Sequence, residues 1–316
     1  MTSKTETIKL NLAKVFSGSG KREKRPWLAI LLFLGPITIY YLFFIAYPLF
    51  KTLYFSFHAI VPMQGQTVTI PVGFTQYKAL FQDKIFFMAV KNTLLWAVVG
   101  PALEMITALA LAFFVYFRVP LHKFYRVAWF TPILVSGVIV GLIFRWVFNY
   151  DWGLLNVTLR SLGLDVFALN WLGRVDTPIW VVIFVHYWAT FGYSFVLLLA
   201  GLSAISEELL DAAKVDGANT LQTALKIMFP ILMPTFVTVM ILSFMGKMRA
   251  FHVVWVLTNG GPMHASETVA TYVQKRAFGW STLDLGYPSA IAVVWFGVVL
   301  IGVSLINRWL RKKAEY

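Results

Sequence analysis

Six long apolar runs constrain this chain more than any motif in it. They lie at residues 27–50, about 89–117, 127–148, 178–201, 230–256 and 286–307. At about 1.5 Å of rise per residue, each is long enough to cross an apolar layer roughly 30 Å thick. A backbone inside that layer must satisfy its own hydrogen bonds, and for runs of this kind the helix does so. Composition agrees, since 59% of the 316 residues are apolar and 13% charged, against about 25% charged in a soluble domain. The expected fold class is an all-α integral membrane protein with six transmembrane helices. The first run is too long for a signal-peptide core and no small-residue cleavage site follows it, so it is expected to be retained.

Six crossings put both termini on one side, and the basic residues say which. The N-terminal tail, the 118–126 and 202–229 loops and the tail from Arg308 carry sixteen Lys and Arg, whereas the longer opposite loops carry eight. Positive charge collects on the cytoplasmic side, so both termini are expected there. This distribution also accounts for the formal net charge of +13 without a nucleic-acid partner. The chain has no cysteine, which excludes disulfides and thiolate metal sites. Its five histidines, His58, His122, His186, His252 and His264, show no i, i+4 ligand spacing, so no metal is expected. The opposite loops are aromatic and rich in Asn and Gly, as in "FNYDWGLLN" and "RAFGWSTLDLGY", which suits short pieces lying at the outer interface.

Within this apolar chain the polar stretch "SEELLDAAKVDGANTLQTALKIMFP", 206–230, stands out. Ser206 is placed to cap a helix whose first turn holds Glu207 and Glu208, where the helix dipole favours negative charge. Gly217 can end it in the left-handed conformation. Asn219 or Thr220 can cap a second short helix through Leu221, Ala224, Leu225 and Met228, with Pro230 opening the next span. Two short helices meeting at an elbow would fit a groove on a soluble partner.

This segment resembles the EAA loop of binding-protein-dependent ABC importers, which runs E-A-A, three positions to D-G-A, then a hydrophobic stretch ending I-x-x-P. Here it reads "DAAKVDGA" and "IMFP", with Asp211 in place of the usual Glu and Ala224 where an aromatic is common. The resemblance implies that Asp211, Ala212, Ala213, Asp216, Gly217 and Ala218 belong to a coupling helix that docks into an ATPase subunit. A second stretch, "LTNGGP" at 257–262 followed by Glu267 and Thr268, is a tight turn needing positive φ. It is similar to the L-T-x-G-G-P…T signature of the first permease in carbohydrate importers of the maltose and glycerol-phosphate kind. "VGFTQYKALFQD", "NTLLWAVV" and "RAFGWSTLDLGYPSAIAV" carry the same likeness, which runs from about Trp27 to Arg311.

The resemblance divides the chain into a basic cytoplasmic tail at 1–26, an importer transmembrane domain at 27–311 with its coupling loop at about 203–229, and a short cytoplasmic tail at 312–316. It implies a second permease, two ATP-binding subunits, an external solute-binding protein, a sugar substrate and a lipid bilayer as partners, in a bacterial or archaeal cytoplasmic membrane. No G-x-x-x-x-G-K-[ST] sequence is present, so this chain is expected to hold no cofactor and to be no enzyme. ATP and Mg would be bound by the partner ATPase. A self-sufficient secondary transporter or channel is the competing expectation, opposed by only six spans, no inverted repeat and no paired intramembrane carboxylates. An intramembrane enzyme is a weaker one, because H-E-x-x-H and G-x-S-x-G are both absent.

Charges inside a span mark function, because each costs at least about 2.5–3.5 kcal/mol at mid-bilayer. Arg145 is near a span end and can snorkel, and Glu104 reads as a structural partner. In "SFMGKMRAFH", helical spacing puts Ser243, Gly246, Lys247 and Ala250 on one face. The resemblance places this stretch on the substrate path, with Ser243 and Lys247 exposed to the sugar and Arg249 beside them. The bland alternative pairs Lys247 and Arg249 with carboxylates of the partner permease. In "VHYWATFGYSF", His186, Trp188 and Tyr193 are further path candidates, since aromatic faces carry the apolar faces of sugars.

Overall fold

The computed structural model describes residues 27–63, 66–117, 120–279 and 284–311. The two expected tails, 1–26 and 312–316, lie outside the described residues. The chain divides into two units, 1–51 and 52–316. The first holds helix α1 (Trp27–Tyr41), a π-turn over Leu42–Ala46 and the start of α2 (Tyr47–Phe55). No described residue of the π-turn or α2 is buried.

In the second unit α2 leads into strands β1 (His58–Met63) and β2 (Gln66–Pro71), paired antiparallel from His58 opposite Pro71 to Met63 opposite Gln66. This hairpin corrects the all-α expectation. Its cause is the β-branched run "TVTIPV", whose χ1 stiffness suits a pleated surface. The Ile60 amide donates to Asp284 Oδ1 at 3.0 Å, tying the hairpin to the start of the last span.

Helices α3 (Thr75–Leu80) and α4 (Lys84–Tyr116) follow. Asp83 caps α4, accepting from the Ile85 and Phe86 amides. Down α4 a stripe at near four-residue spacing, Ala89, Thr93, Ala97, Glu104, Ala108 and Ala112, is buried. Small residues there let neighbouring backbones approach, as packing between helices in a membrane requires.

The expected span at 127–148 is broken. Helix α5 (His122–Phe130) runs through a 3-10 turn (Thr131–Leu134), and α6 (Gly137–Val147) then leaves at 98°. Val135 and Ser136 between them have ψ of 131° and 136°, which is extended backbone, and Pro132 lies within the turn just before them. Helix α7 (Leu154–Ser161) precedes the uninterrupted α8 (Pro178–Ser203).

Helix α9 (Glu207–Val215) is the polar segment's first helix, and α10 (Thr220–Gln222) passes through a π-turn (Thr223–Met228) into α11 (Phe229–Met248). The second short helix is therefore no separate element. It is the first part of one helical stretch from Thr220 to Met248, and Pro230 sits inside it. The other end of this span falls short of expectation, since Arg249–Phe251 leave the helix before α12 (His252–Leu257). Ala250 thus lies past the helical face assigned to it. Helix α13 (Val269–Gln274), a π-turn (Lys275–Gly279) and α14 (Gly286–Arg311) complete the chain.

Five described helical stretches are long and apolar enough to cross a membrane, or six if the bent pair counts as one span. Helix α4 packs along α8, and α11 packs against both and against α14. Apolar residues such as Trp180, Phe184, Ile106 and Leu300 are exposed around this core, as side chains facing lipid must be.

Candidate functional site

Three helices converge on one buried carboxylate. Glu104, from the small-residue stripe of α4, is 1% exposed. Its Oε1 accepts from Lys247 Nζ of α11 at 2.5 Å and lies 2.5 Å from Thr190 Oγ1 of α8. Its Oε2 accepts from Ser243 Oγ of α11 at 2.5 Å. Lys247 also donates to Ser243 Oγ at 3.0 Å, so the serine hydroxyl accepts from the ammonium and donates to the carboxylate. Thr190 Oγ1 is also 2.8 Å from the His186 carbonyl, so its single proton can serve either acceptor. His186 stands edge-to-face against Trp96, with ring centroids 4.9 Å apart. Gly100 makes room for the lysine, since a Cβ there would lie 3.2 Å from Lys247 Cε.

The pair therefore lies within one chain and is closed to solvent, with side-chain exposures of 3% and 1%. Of the path candidates, the fold brings Ser243, Lys247 and His186 together and adds Glu104 and Thr190. Ser243 and Lys247 are buried rather than presented on the surface of the chain. The carboxylate that pairs with Lys247 belongs to the chain itself. Arg249 is exposed and Gly246 half-buried beside this cluster. Trp188 and Tyr193 point elsewhere: both are exposed, and Trp188 packs edge-on against Phe144 of α6.

At the other end of α8 lies the polar segment. Ser206 occupies the cap position of α9, but its side chain accepts no hydrogen bond there. Gly217 ends the helix at φ +80°. The Ala218 amide donates to the Ala213 carbonyl at 2.9 Å and the Gly217 amide to the Lys214 carbonyl at 3.0 Å, a Schellman pair that satisfies the helix end. Asn219 then caps α10 in a reciprocal box with Gln222. Ala213 is buried, whereas Asp211, Ala212, Asp216 and Gly217 are exposed and Ala218 is half-buried. Asp211 accepts from Lys214 Nζ at 2.8 Å. Leu209, Val215, Leu221 and Leu225 are exposed on this elbow.

The "LTNGGP" stretch is a turn with φ of 51° at Asn259 and 76° at Gly260. It closes over Glu267, which is fully buried. This carboxylate receives Lys275 Nζ at 2.6 Å, Thr271 Oγ1 at 2.6 Å and lies 2.8 Å from His264 Nδ1. Asn92 of α4 donates to the Ala265 and Glu267 carbonyls, anchoring the turn to the span. Nearby, Asp83 Oδ2 accepts from the Tyr272 and Tyr287 hydroxyls. Burial raises the Asp83 pKa, but these phenols and the two cap amides outweigh it and hold the carboxyl below its ordinary value. Burial and the same carboxylate push the Tyr272 phenol up. The Asp83 hub is not evident from the sequence, because its phenols come from segments 189 and 204 residues away, whereas the Glu267 carboxylate draws its partners from within 264–275. Part of "RAFGWSTLDLGY", residues 280–283, lies outside the described residues.

Residues 105–316 match the family model described as binding-protein-dependent transport system inner membrane component. The chain belongs to this family. The probable ABC transporter permease YurN of Bacillus subtilis is 32% identical to it over 279 residues, covering 87% of this chain and 93% of the relative. The sulfoquinovosyl glycerol transport system permease SmoG of Agrobacterium fabrum is 30% identical, with 90% and 91% covered. The trehalose/maltose transport system permease MalF of Thermococcus litoralis is 30% identical, with 84% and 88% covered. The fold is similar to that of a bacterial ABC transporter involved in import of the acidic polysaccharide alginate, with a TM-score of 0.76 and 24% identity over 92% of this chain and 96% of that one. Membership of a transport family, together with several membrane-crossing helices, makes this chain a multi-pass membrane permease of the ABC importer type rather than a catalyst.

Proposed function

We propose that this permease forms, with a second permease, the path for ATP-driven uptake of a sugar or sugar derivative delivered by an external solute-binding protein. The observation that carries this reading is family membership joined to an elbow on which the apolar residues Leu209, Val215, Leu221 and Leu225 are exposed around the Gly217 turn. Exposed apolar side chains on a polar loop are what a groove on a soluble ATPase would cover. The sugar-permease names of the relatives support the carbohydrate class. In this reading the loop and both termini face the cytoplasm of a bacterium or archaeon, and two ATPase subunits bind ATP and Mg.

The substrate path is assigned to the last turns of α11. Gly246 and Arg249 lie where a second permease and the sugar can reach them, with Trp188 and Tyr193 as further exposed contacts on α8. Ser243, Lys247 and His186 stand behind them in the Glu104 cluster, and the sugar meets the lysine when that pair opens.

Purification in mild detergent tests the assembly. A second multi-span protein and an ATPase should co-elute, and transport by this chain alone in vesicles would overturn the reading. Lys247→Ala, measured for complex yield beside uptake, tests the path. Reduced uptake by an assembled complex is expected, and normal uptake removes Lys247 from the path.

A further inference from the structure

A cavity of about 810 Å³ opens beside the coupling helix. Its walls are the end of α4 at Tyr116, the first turns of α5 at Lys123 and Arg126, the end of α8 at Ser203, and α9 at Glu207 and Leu210. The coupling segment contributes a neutralised pair, Lys214 with Asp211. Neither Lys123 nor Arg126 forms an ion pair among the described residues, and Glu207 is the other acid of the lining. The lining thus sets three cations, Lys123, Arg126 and Lys214, against two acids, Asp211 and Glu207, and Lys123 and Arg126 are the cations without a paired acid among the described residues.

Helix α5 shows what kind of anion fits. Lys123 and Arg126, three residues apart, look into the cavity, whereas Leu121 at its start and Phe124 and Val127 within it are 68%, 64% and 66% exposed. On α5 the exposed apolar Phe124 and Val127 flank Lys123, one residue and one turn along, and cations set beside exposed apolar side chains suit a helix end at the membrane interface. The 98° turn between this segment and α6 agrees, since α5 leaves the direction of the span that follows. A phosphate held at Lys123 and Arg126 would therefore sit at headgroup depth, with acyl chains beside Phe124 and Val127.

We propose that this cavity binds a phosphate ester, the headgroup of an anionic phospholipid in the leaflet where α5 lies, gripped by Lys123 and Arg126. Because the opposite wall is α9, an occupied cavity braces the coupling helix from behind and links its position to lipid charge. The consequence for coupling rests on the proposed function, whereas the binding itself does not.

The complex as purified from its membrane is placed in nanodiscs of phosphatidylcholine with graded phosphatidylglycerol. Phosphatidylglycerol retained per complex and sugar-stimulated ATP hydrolysis are both measured. Each cation near the surface contributes about a fivefold preference for anionic lipid, so Lys123→Gln with Arg126→Gln should weaken retention by roughly 25-fold. Arg145→Gln, which alters an exposed cation outside this cavity, should leave retention unchanged. Equal retention by the double variant and the parent overturns the site. Displacement of the lipid by millimolar inorganic phosphate would assign the site to a soluble phosphate and overturn the lipid source. Loss of ATPase co-purification with unchanged lipid retention would give this face to the ATPase and overturn the proposal. A failure of the importer reading would abolish sugar-stimulated hydrolysis in every lipid mixture without moving the retention measurement.

Discussion

Replacing Glu104 with Gln keeps the shape of the side chain and removes its charge. Lys247, 2% exposed, would then hold an ammonium with no counter-ion, while Ser243 and Thr190 would meet an amide where they now meet a carboxylate. Removing one partner of a buried pair costs about 3–5 kcal/mol, because the other charge stays behind in a poorly solvating interior. Replacing both charges is often neutral, since the desolvation of the pair disappears with its attraction. Glu104→Gln should therefore lower the yield and thermal midpoint of the purified protein severely, and Glu104→Gln with Lys247→Met should recover most of both. The difference between the double variant and the sum of the singles is the coupling, expected at 2 kcal/mol or more for a bonded pair in this setting. If Glu104→Gln matches the parent, or if the double variant is as unstable as the single, the pair is not a compensated buried charge.

The remaining predictions test other parts of the chain. Gly217→Val places a β-branched residue at φ +80° with nothing within 4 Å of the new Cβ, so its cost is backbone strain of about 1–2 kcal/mol; sugar-stimulated ATP hydrolysis and uptake should fall while the complex still assembles, and unchanged uptake would remove the elbow from coupling. Asp83 has a folded pKa below its ordinary 3.8, so the stability it contributes is present above that value and is lost as pH falls through the folded one; an acid-unfolding curve should show this loss in the parent and not in Asp83→Asn. At Gly260 a new Cβ would lie 2.6 Å from Glu267 Oε2; Gly260→Ala should loosen the turn over Glu267, detected as faster proteolysis between α12 and α13, and unchanged cleavage would show that the turn yields freely.

The turn at Gly217 and the cap at Asn219 were legible because local chemistry settles them, whereas the join of the second short helix to the following span was not. A glycine at a helix end and an asparagine at the start of the next helical stretch dictate turn and cap within one short segment. The break between α5 and α6 was not legible from hydropathy, since a count over 127–148 ignores where Val135 and Ser136 turn extended. No Gly or Pro follows the early end of α11 to announce it, since Arg249, Ala250 and Phe251 come next. There the Met248 carbonyl accepts Trp295 Nε1 of α14 at 2.9 Å, a partner 47 residues away that no window around 248 could suggest.

Glu104 is the instructive case, because its place was readable and its partner was not. The four-residue rhythm of Ala89, Ala97, Ala108 and Ala112 puts position 104 on the packed stripe of α4, so a carboxylate there must be compensated from a neighbouring helix. The rhythm of α11 likewise puts Ser243 and Lys247 one turn apart on a single face. What the sequence does not contain is the register of α4 against α11, which the packing of whole helix faces decides. Once that register is fixed, the lysine that the sequence would offer to a sugar is already bonded to a carboxylate of its own chain. Any solute that used Lys247 would have to outcompete Glu104, so its affinity would depend on an equilibrium within the permease as well as on the contacts the solute makes.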